Sequence, residues 1–404
     1  MAAAIGVILI AGCGSTVAEE PNSVQRLSVK LADSSTGFGL NLLDHLLAEP
    51  GAGNVFISPL SATIALSMAA SAARGDARAA MLRTLGLDPT VDPSGELRQT
   101  IQRLNQSDPN AQLELAQAVW LQNGLKLNSA YEAKLHDDYQ AQLANLNFND
   151  PNAPAVVNKW IDAKTHDKIQ TLVDEFKPNT VGFLANATYF HALWTTEFKP
   201  MKTTVDFRQF SGQTVAPPMM RRDDDVVALL TRGYVAVVLP YKGGRFSAVL
   251  ILPSGVLSPA DFGRFITASL WTQTMEAFHA ATGPTLSDKC RAWSQGDAEV
   301  RCGWTLQMPK FTLDYHEKLT ATLHALGMPI PGANVPDFCD GCYIDDVVQG
   351  THLEVDEHGV TAAAATGVAI RVCGCMTVVN RPFAFAIVDN ATDAPLFLGA
   401  IGDL

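Results

Sequence analysis

Cys339 and Cys342, separated by Asp-Gly, have the spacing of a redox dithiol or of one half of a zinc site. A zinc site needs a second ligand pair at a suitable distance, and a thioredoxin-like dithiol needs a βαβ unit around it. Neither accompanies this pair, which leaves a structural disulfide as its chemistry. Cys290 and Cys302 bracket a polar stretch holding Trp293, Gly296 and Asp297, and read as a hairpin-like excursion closed by a bond. Cys373 and Cys375 have one residue between them, which is poor geometry for a bridge to each other. With Cys13 set aside, an even number of cysteines remains, and in an exported chain that points to disulfides.

Acyl-transfer chemistry would need a serine or cysteine nucleophile with a base beside it, and no serine sits in a Gly-x-Ser-x-Gly turn. His191, His352 and His358 are isolated in sequence, and a solvated or core role is expected for each. No Gly-rich phosphate loop is present. The run Asp223 to Asp225 reads as a solvated turn, because metal ligands are usually spaced rather than consecutive. The expectation is a protein that is not an enzyme and carries no cofactor or metal.

Composition narrows the partners. The chain of 404 residues is 47% hydrophobic and only 17% charged, against about 25% charged in ordinary soluble domains, so it is globular rather than disordered. A net charge of −12 argues against nucleic acid and other polyanions, which are held by basic patches that displace counterions. Proteins and small molecules remain open as partners.

The first residues read as a targeting segment. An apolar run from Ala2 to Ala11 ends in Ile10-Ala11-Gly12-Cys13, which resembles a bacterial lipobox. That resemblance implies a signal peptide over 1–12, a lipidated Cys13, a tether over 13–27, and a periplasmic or extracellular location on a membrane. No Lys or Arg precedes the run, as a signal peptide normally requires, and the alternative is an ordinary cleaved signal with a chance cysteine. The run is shorter than the about 20 apolar residues of a spanning helix.

Further along, Leu40, Leu42, Leu43, Leu46 and Leu47 predict an amphipathic helix over Gly37 to Leu47. Asn54 to Ser61 breaks it. Ser61 reads as the N-cap of an alanine-rich helix over 62–73, and Gly86 as the end of a helix begun near Asp76. Leu184 to Phe190 and Phe246 to Leu252 have strand length and strand composition. Helical patterns gather in the first half and strands in the second, which favours an α+β fold over a doubly wound sheet.

One stretch stands apart. Between Gly359 and Pro382 lie 22 residues without proline, and from Val360 to Ile370 there is no charge and nothing larger than isoleucine. Small and β-branched side chains suit an inserted strand, while alanine also suits a short buried helix. Structureless loops beyond roughly 12–15 residues are uncommon and usually functional, so this segment is a candidate bait.

Several motifs taken together resemble the serpin family, in register from about Ser28 onward. They are Asn54-Val-Phe-Ile-Ser-Pro-Leu-Ser61 with Gly75 and Leu85-Gly86; Ala116 to Gln122; Val157-Asn-Lys-Trp160 with Lys164-Thr165 and Asp167-Lys168-Ile169; Leu184-Ala-Asn-Ala-Thr-Tyr-Phe190 with Trp194 and Phe198; Val238-Leu-Pro-Tyr-Lys242; Met308-Pro-Lys-Phe311; Leu326-Gly327-Met328; Glu354 to Thr366; Asn380-Arg-Pro-Phe383; and Leu396-Phe-Leu-Gly399. The resemblance implies a single domain over 28–404 with about eight or nine helices, three β-sheets and an exposed reactive-centre loop. It also implies a monomeric suicide inhibitor of serine or, alternatively, cysteine endopeptidases. The target protease cuts the loop, forms an acyl-enzyme, and is trapped when the loop inserts into the main sheet. A non-inhibitory binding or carrier protein on the same fold is the alternative.

By that resemblance Glu354 to Gly359, with Glu357 among them, form the hinge entrance. Strand alternation then turns Val360, Ala362, Ala364 and Thr366 inward on insertion and Thr361, Ala363 and Ala365 outward. All four inward residues are uncharged and small enough to bury. The family usually has Thr or Ser where Val360 stands and Glu where Thr361 stands. Its register puts the scissile bond at Cys373-Gly374, which suits elastase-like, chymotrypsin-like or cysteine proteases, with Arg371-Val372 as the trypsin-like alternative. Ser58, Ser61, Asn186 and Trp194 fall in the region where the sheet opens. The family's histidine partner for the serines falls at Gln349, a departure that bears on the energy of opening.

Overall fold

The structure, a computed structural model, describes residues 23–282, 293–295, 298–359 and 376–404. The expected signal peptide, the lipidation site Cys13 and the beginning of the tether lie outside these residues. So do Cys290, Val360 to Thr366, Arg371, Val372, Cys373 and Gly374.

The first half is mostly helical. Helix α1 (Ser23–Ala48) starts inside the expected tether and buries the leucine face read from the sequence. Strand β1 (Val55–Ile57) leads into α2 (Pro59–Ala72), and here the expected cap moves: Ser58 is the N-cap, and its side chain accepts from the Ser61 N–H. Pro59 occupies the first helical position, where a missing N–H leaves no bond unmade. Helix α3 (Gly75–Thr84) ends before Gly86, whose φ of +72° fits a glycine stop. Then come α4 (Ser94–Leu104), β2 (Ala111–Gln122), α5 (Ser129–Asp137), β3 (Gln142–Leu146), α6 (Ala153–Lys164) and β4 (Gly182–Ala192).

The second half is mostly strand. It runs β5 (Lys199–Pro200), β6 (Phe207–Arg208), β7 (Thr214–Val215), β8 (Met219–Leu230), β9 (Tyr234–Pro240) and β10 (Phe246–Pro253), then α7 (Pro259–Phe265) and α8 (Ala268–Thr282). After these come β11 (Trp293–Gln295), β12 (Ala298–Pro309), β13 (Phe311–Lys318), α9 (Thr320–Ala325), β14 (Ala333–Asn334), β15 (Tyr343–Ile344) and β16 (Val348–Val355). Strands β17 (Met376–Val378), β18 (Phe383–Asp389) and β19 (Ala394–Ile401) complete the chain. The α+β expectation holds, with nine helices among the described residues.

The largest sheet has the order β1-β19-β18-β10-β9-β8-β12-β11, with β17 parallel to β12 and β5 beside β8. Every residue of β10, β18 and β19 is buried, which is why those strands read as continuous apolar runs rather than alternations. Four smaller sheets, β3-β2-β4, β13-β16, β14-β15 and β6-β7, lie apart from it in the hydrogen-bonding order. Helix α6 packs on the first of these through Val157 and Ile161, and Trp160 meets Trp120 edge-on with ring centroids 5.3 Å apart.

Two sequence readings change. The Asp223 to Asp225 run is not a turn but the interior of β8. Asp223 is accommodated there because its carboxylate accepts from Thr305 Oγ1 of β12 at 3.0 Å and pairs with Arg221 at 2.8 Å. The excursion near Cys302 is a hairpin in which the backbone of Trp293 is in register with that of Val300, although the bond expected to close it lies outside the described residues. Cys339 and Cys342 are joined as a disulfide, with Cα atoms 5.3 Å apart.

Candidate functional site, a slot between two strands

Among the described residues no ladder joins β4 to β16, yet the two strands line one narrow cavity, with Thr188, Tyr189 and Phe190 on one side and His352, Leu353 and Glu354 on the other. Their relative direction follows from three levels. Asn186 and Gln349 both meet the start of α2; Tyr189 and Phe190 face Leu353 and Glu354 across a narrow cavity; Trp194 meets Asp356 and His358. Residue numbers rise together on both sides, so β4 and β16 run parallel.

Beneath the slot, the N-terminus of α2 holds both strands. Ser61 Oγ donates to Asn186 Oδ1 on β4. On the other side, Gln349 Nε2 donates to Ser58 O at 3.0 Å while its Oε1 accepts from Ser58 N at 3.3 Å. Ser58 Oγ donates to Leu396 O at 2.7 Å, and Thr351 Oγ1 to Phe56 O at 2.6 Å. Both serines, Gln349 and Thr351 are buried, so every one of these bonds replaces water and a missing partner would be costly.

Above the slot, the segment after α6 crosses from one strand to the other. Lys168 Nζ reaches Glu354 Oε2 at 3.2 Å. His166, on the same segment, pairs with Glu114 of β2 at 3.2 Å and lies against Tyr189 with ring centroids 4.2 Å apart.

The upper end is zipped. Trp194 N donates to His358 O at 3.0 Å, Trp194 Nε1 to Asp356 O at 3.0 Å, and Phe198 N to Glu357 O at 2.8 Å. Trp194 is fully buried and stacks on Tyr241 with centroids 4.4 Å apart; burial pushes the Tyr241 phenol above its ordinary range. Glu357 is also held by Lys310 of the β12–β13 junction, Nζ to Oε1 at 3.1 Å. Gly359 is the last residue of this described segment, with φ +133°, and a Cβ on it would overlap Ala192 O, so the position takes only glycine.

The structure thus gathers Ser58, Ser61, Asn186, Gln349, Trp194, Glu357 and Gly359 around one slot. It also adds residues that sequence reasoning passed over. Lys310 was visible only as part of Met308-Pro-Lys-Phe311. His358 and His352 are not isolated, since His358 Nδ1 lies 3.3 Å from Glu197 Oε2 and His352 Nδ1 lies 2.6 Å from Asp314 Oδ1.

Residues 33–404 match the family model described as Serpin (serine protease inhibitor). Serpin A3-6 of Bos taurus is 30% identical over 385 residues, covering 92% of this chain and 88% of that protein. Iripin-3 of Ixodes ricinus is 30% identical over 399 residues, covering 93% and 95%. Among solved structures, the thermophilic serpin tengpin in its native state superposes with a TM-score of 0.78 at 25% identity, covering 93% of this chain and 94% of that one. Thyroxine-binding globulin in complex with thyroxine gives a TM-score of 0.78 at 21% identity, covering 92% and 98%, a likeness of fold.

Proposed function

Because the chain belongs to the serpin family, we propose that it is a suicide inhibitor of serine endopeptidases, with cysteine endopeptidases as a further target class, acting by loop insertion. The observation that carries this reading is the slot. Two parallel strands flank one cavity with no ladder between them among the described residues, and the chain leaves from Gly359 at their upper end. A chain that turns back at Gly359 runs antiparallel to both neighbours and pairs with the facing edges of each, the family's own instance of β-strand addition. Each new backbone hydrogen bond contributes about 0.5–1.5 kcal/mol, so a strand bonded on both edges is a large gain held back only kinetically.

The roles follow from that motion. The protease attacks at Cys373-Gly374, or at Arg371-Val372, and forms an ester or thioester with the loop. Val360, Ala362, Ala364 and Thr366 then enter the sheet and carry the bound enzyme with them. Ser58, Ser61, Asn186, Gln349 and Trp194 set the resistance to opening. The apolar run and Gly12-Cys13 support export and a lipid anchor at Cys13, with a single domain over 28–404. Incubation with elastase-like, chymotrypsin-like and trypsin-like enzymes is expected to give a covalent complex on a denaturing gel with at least one of them. Clean loop cleavage by all of them, with no complex, would favour the binding or carrier role.

A further inference from the structure

We propose that His358 and Glu197 form a pH-sensitive latch across the mouth of the slot, an inference that rests on the insertion reading. His358 precedes the hinge glycine on the β16 side, whereas Glu197 follows β4. Their contact, Nδ1 to Oε2 at 3.3 Å, therefore spans the two edges that must part. It sits on the zipper formed by Trp194, Phe198, Glu357 and His358, and His358 Nδ1 is closed off from solvent without a hydrogen-bond partner, so its contact with Glu197 is one of charge alone. A strand entering between β4 and β16 starts at residue 360 and must pass between these segments first, so it meets the latch together with the zipper and the Leu193–Gly359 bridge.

The other histidine pairs act elsewhere. His166 with Glu114 stays on the β4 side, and His352 with Asp314 joins β16 to β13; neither crosses the opening. The remaining charged groups on the packed elements are engaged or apart. Asp356 Oδ1 accepts from the backbone N–H groups of His358 and Gly359 at 2.8 and 3.2 Å. Glu357 is held by Lys310. Arg222 of β8 donates to Thr195 Oγ1 at 3.3 Å. Lys199 is exposed, and Lys242 enters through its backbone N–H to Leu193 O.

Imidazoles change charge between about pH 5 and 8. A protonated His358 attracts the Glu197 carboxylate, and that attraction is lost when the edges separate. Acid therefore strengthens the closed state and slows entry of a strand.

The test uses the full chain and a capped synthetic peptide of residues 360–370, which has no titratable side chain, and follows its incorporation by native mass spectrometry. Incorporation should be roughly two- to five-fold slower near pH 5.5 than near pH 8, the range an ion pair of this exposure supports. His358→Gln and Glu197→Gln should each flatten that dependence. Incorporation at the same rate at both pH values, or a dependence that survives both substitutions, overturns the latch with the insertion reading intact. No incorporation at any pH overturns the insertion reading and the latch with it.

Discussion

Gln349 grips both backbone groups of Ser58, its amide donating to the carbonyl at 3.0 Å and accepting from the N–H at 3.3 Å. The amide at this departure from the family pattern thus makes two directed bonds. Because it does not titrate, this clasp is independent of pH. Gln349→Ala strips the buried Ser58 N–H of this acceptor, while the Ser58 carbonyl keeps its bond from Ala62 N. The expected cost is about 1–3 kcal/mol of native stability, read as a lower midpoint in denaturant titration. An unchanged midpoint would mean that the clasp does not hold the slot.

The pair between Lys310 and Glu357 anchors the hinge to the β12–β13 junction. Glu357 is nearly buried, with 12% of its side chain exposed, while Lys310 keeps 36%. Glu357→Lys sets two cations together, at a cost of about 1–3 kcal/mol once the exposure of Lys310 is allowed for. The charge-swapped double variant with Lys310→Glu should recover most of the loss. Equal stability of the single and double variants would assign the damage to packing instead of charge.

Asp346, at the lower end of the slot, is held below the ordinary carboxylate range. Partial burial is the largest influence and works the other way, but Lys177 and Lys318, at 2.7 Å each, outweigh it. A carboxyl depressed in the fold adds stability that is complete above its unfolded value of about 3.9 and disappears as pH falls through the lower folded value. Asp346→Asn should therefore lower stability at neutral pH and shrink the gap to the parent chain in strong acid. A gap that is constant with pH would exclude this role.

Much of the architecture was legible because its signals are local. The leucine face of α1, the glycine stop after α3 and the fully buried run of β10 each announce themselves within a dozen residues. The site was legible as a set of positions but not as a set of partners. Ser58 and Gln349 are 291 residues apart, and Lys310 and Glu357 are 47 apart, distances over which periodicity says nothing. Ser61 looked like a cap because Pro59 hid the true start of α2, since the first helical turn tolerates proline. Asp223 looked solvated because Thr305, its partner across the sheet, is invisible in a one-dimensional reading.

The central claim is that the loop after Gly359 inserts between β4 and β16, and it is tested most directly by melting the protein before and after loop cleavage. Cleaved parent protein should unfold at a much higher temperature than the intact chain, because the new strand bonds on both edges. Ala364→Arg, which would bury an unpaired charge on insertion, should be cleaved at the same bond without that gain and without trapping a protease. Cleaved parent protein melting where the intact protein melts, or Ala364→Arg still trapping a protease, would contradict the account.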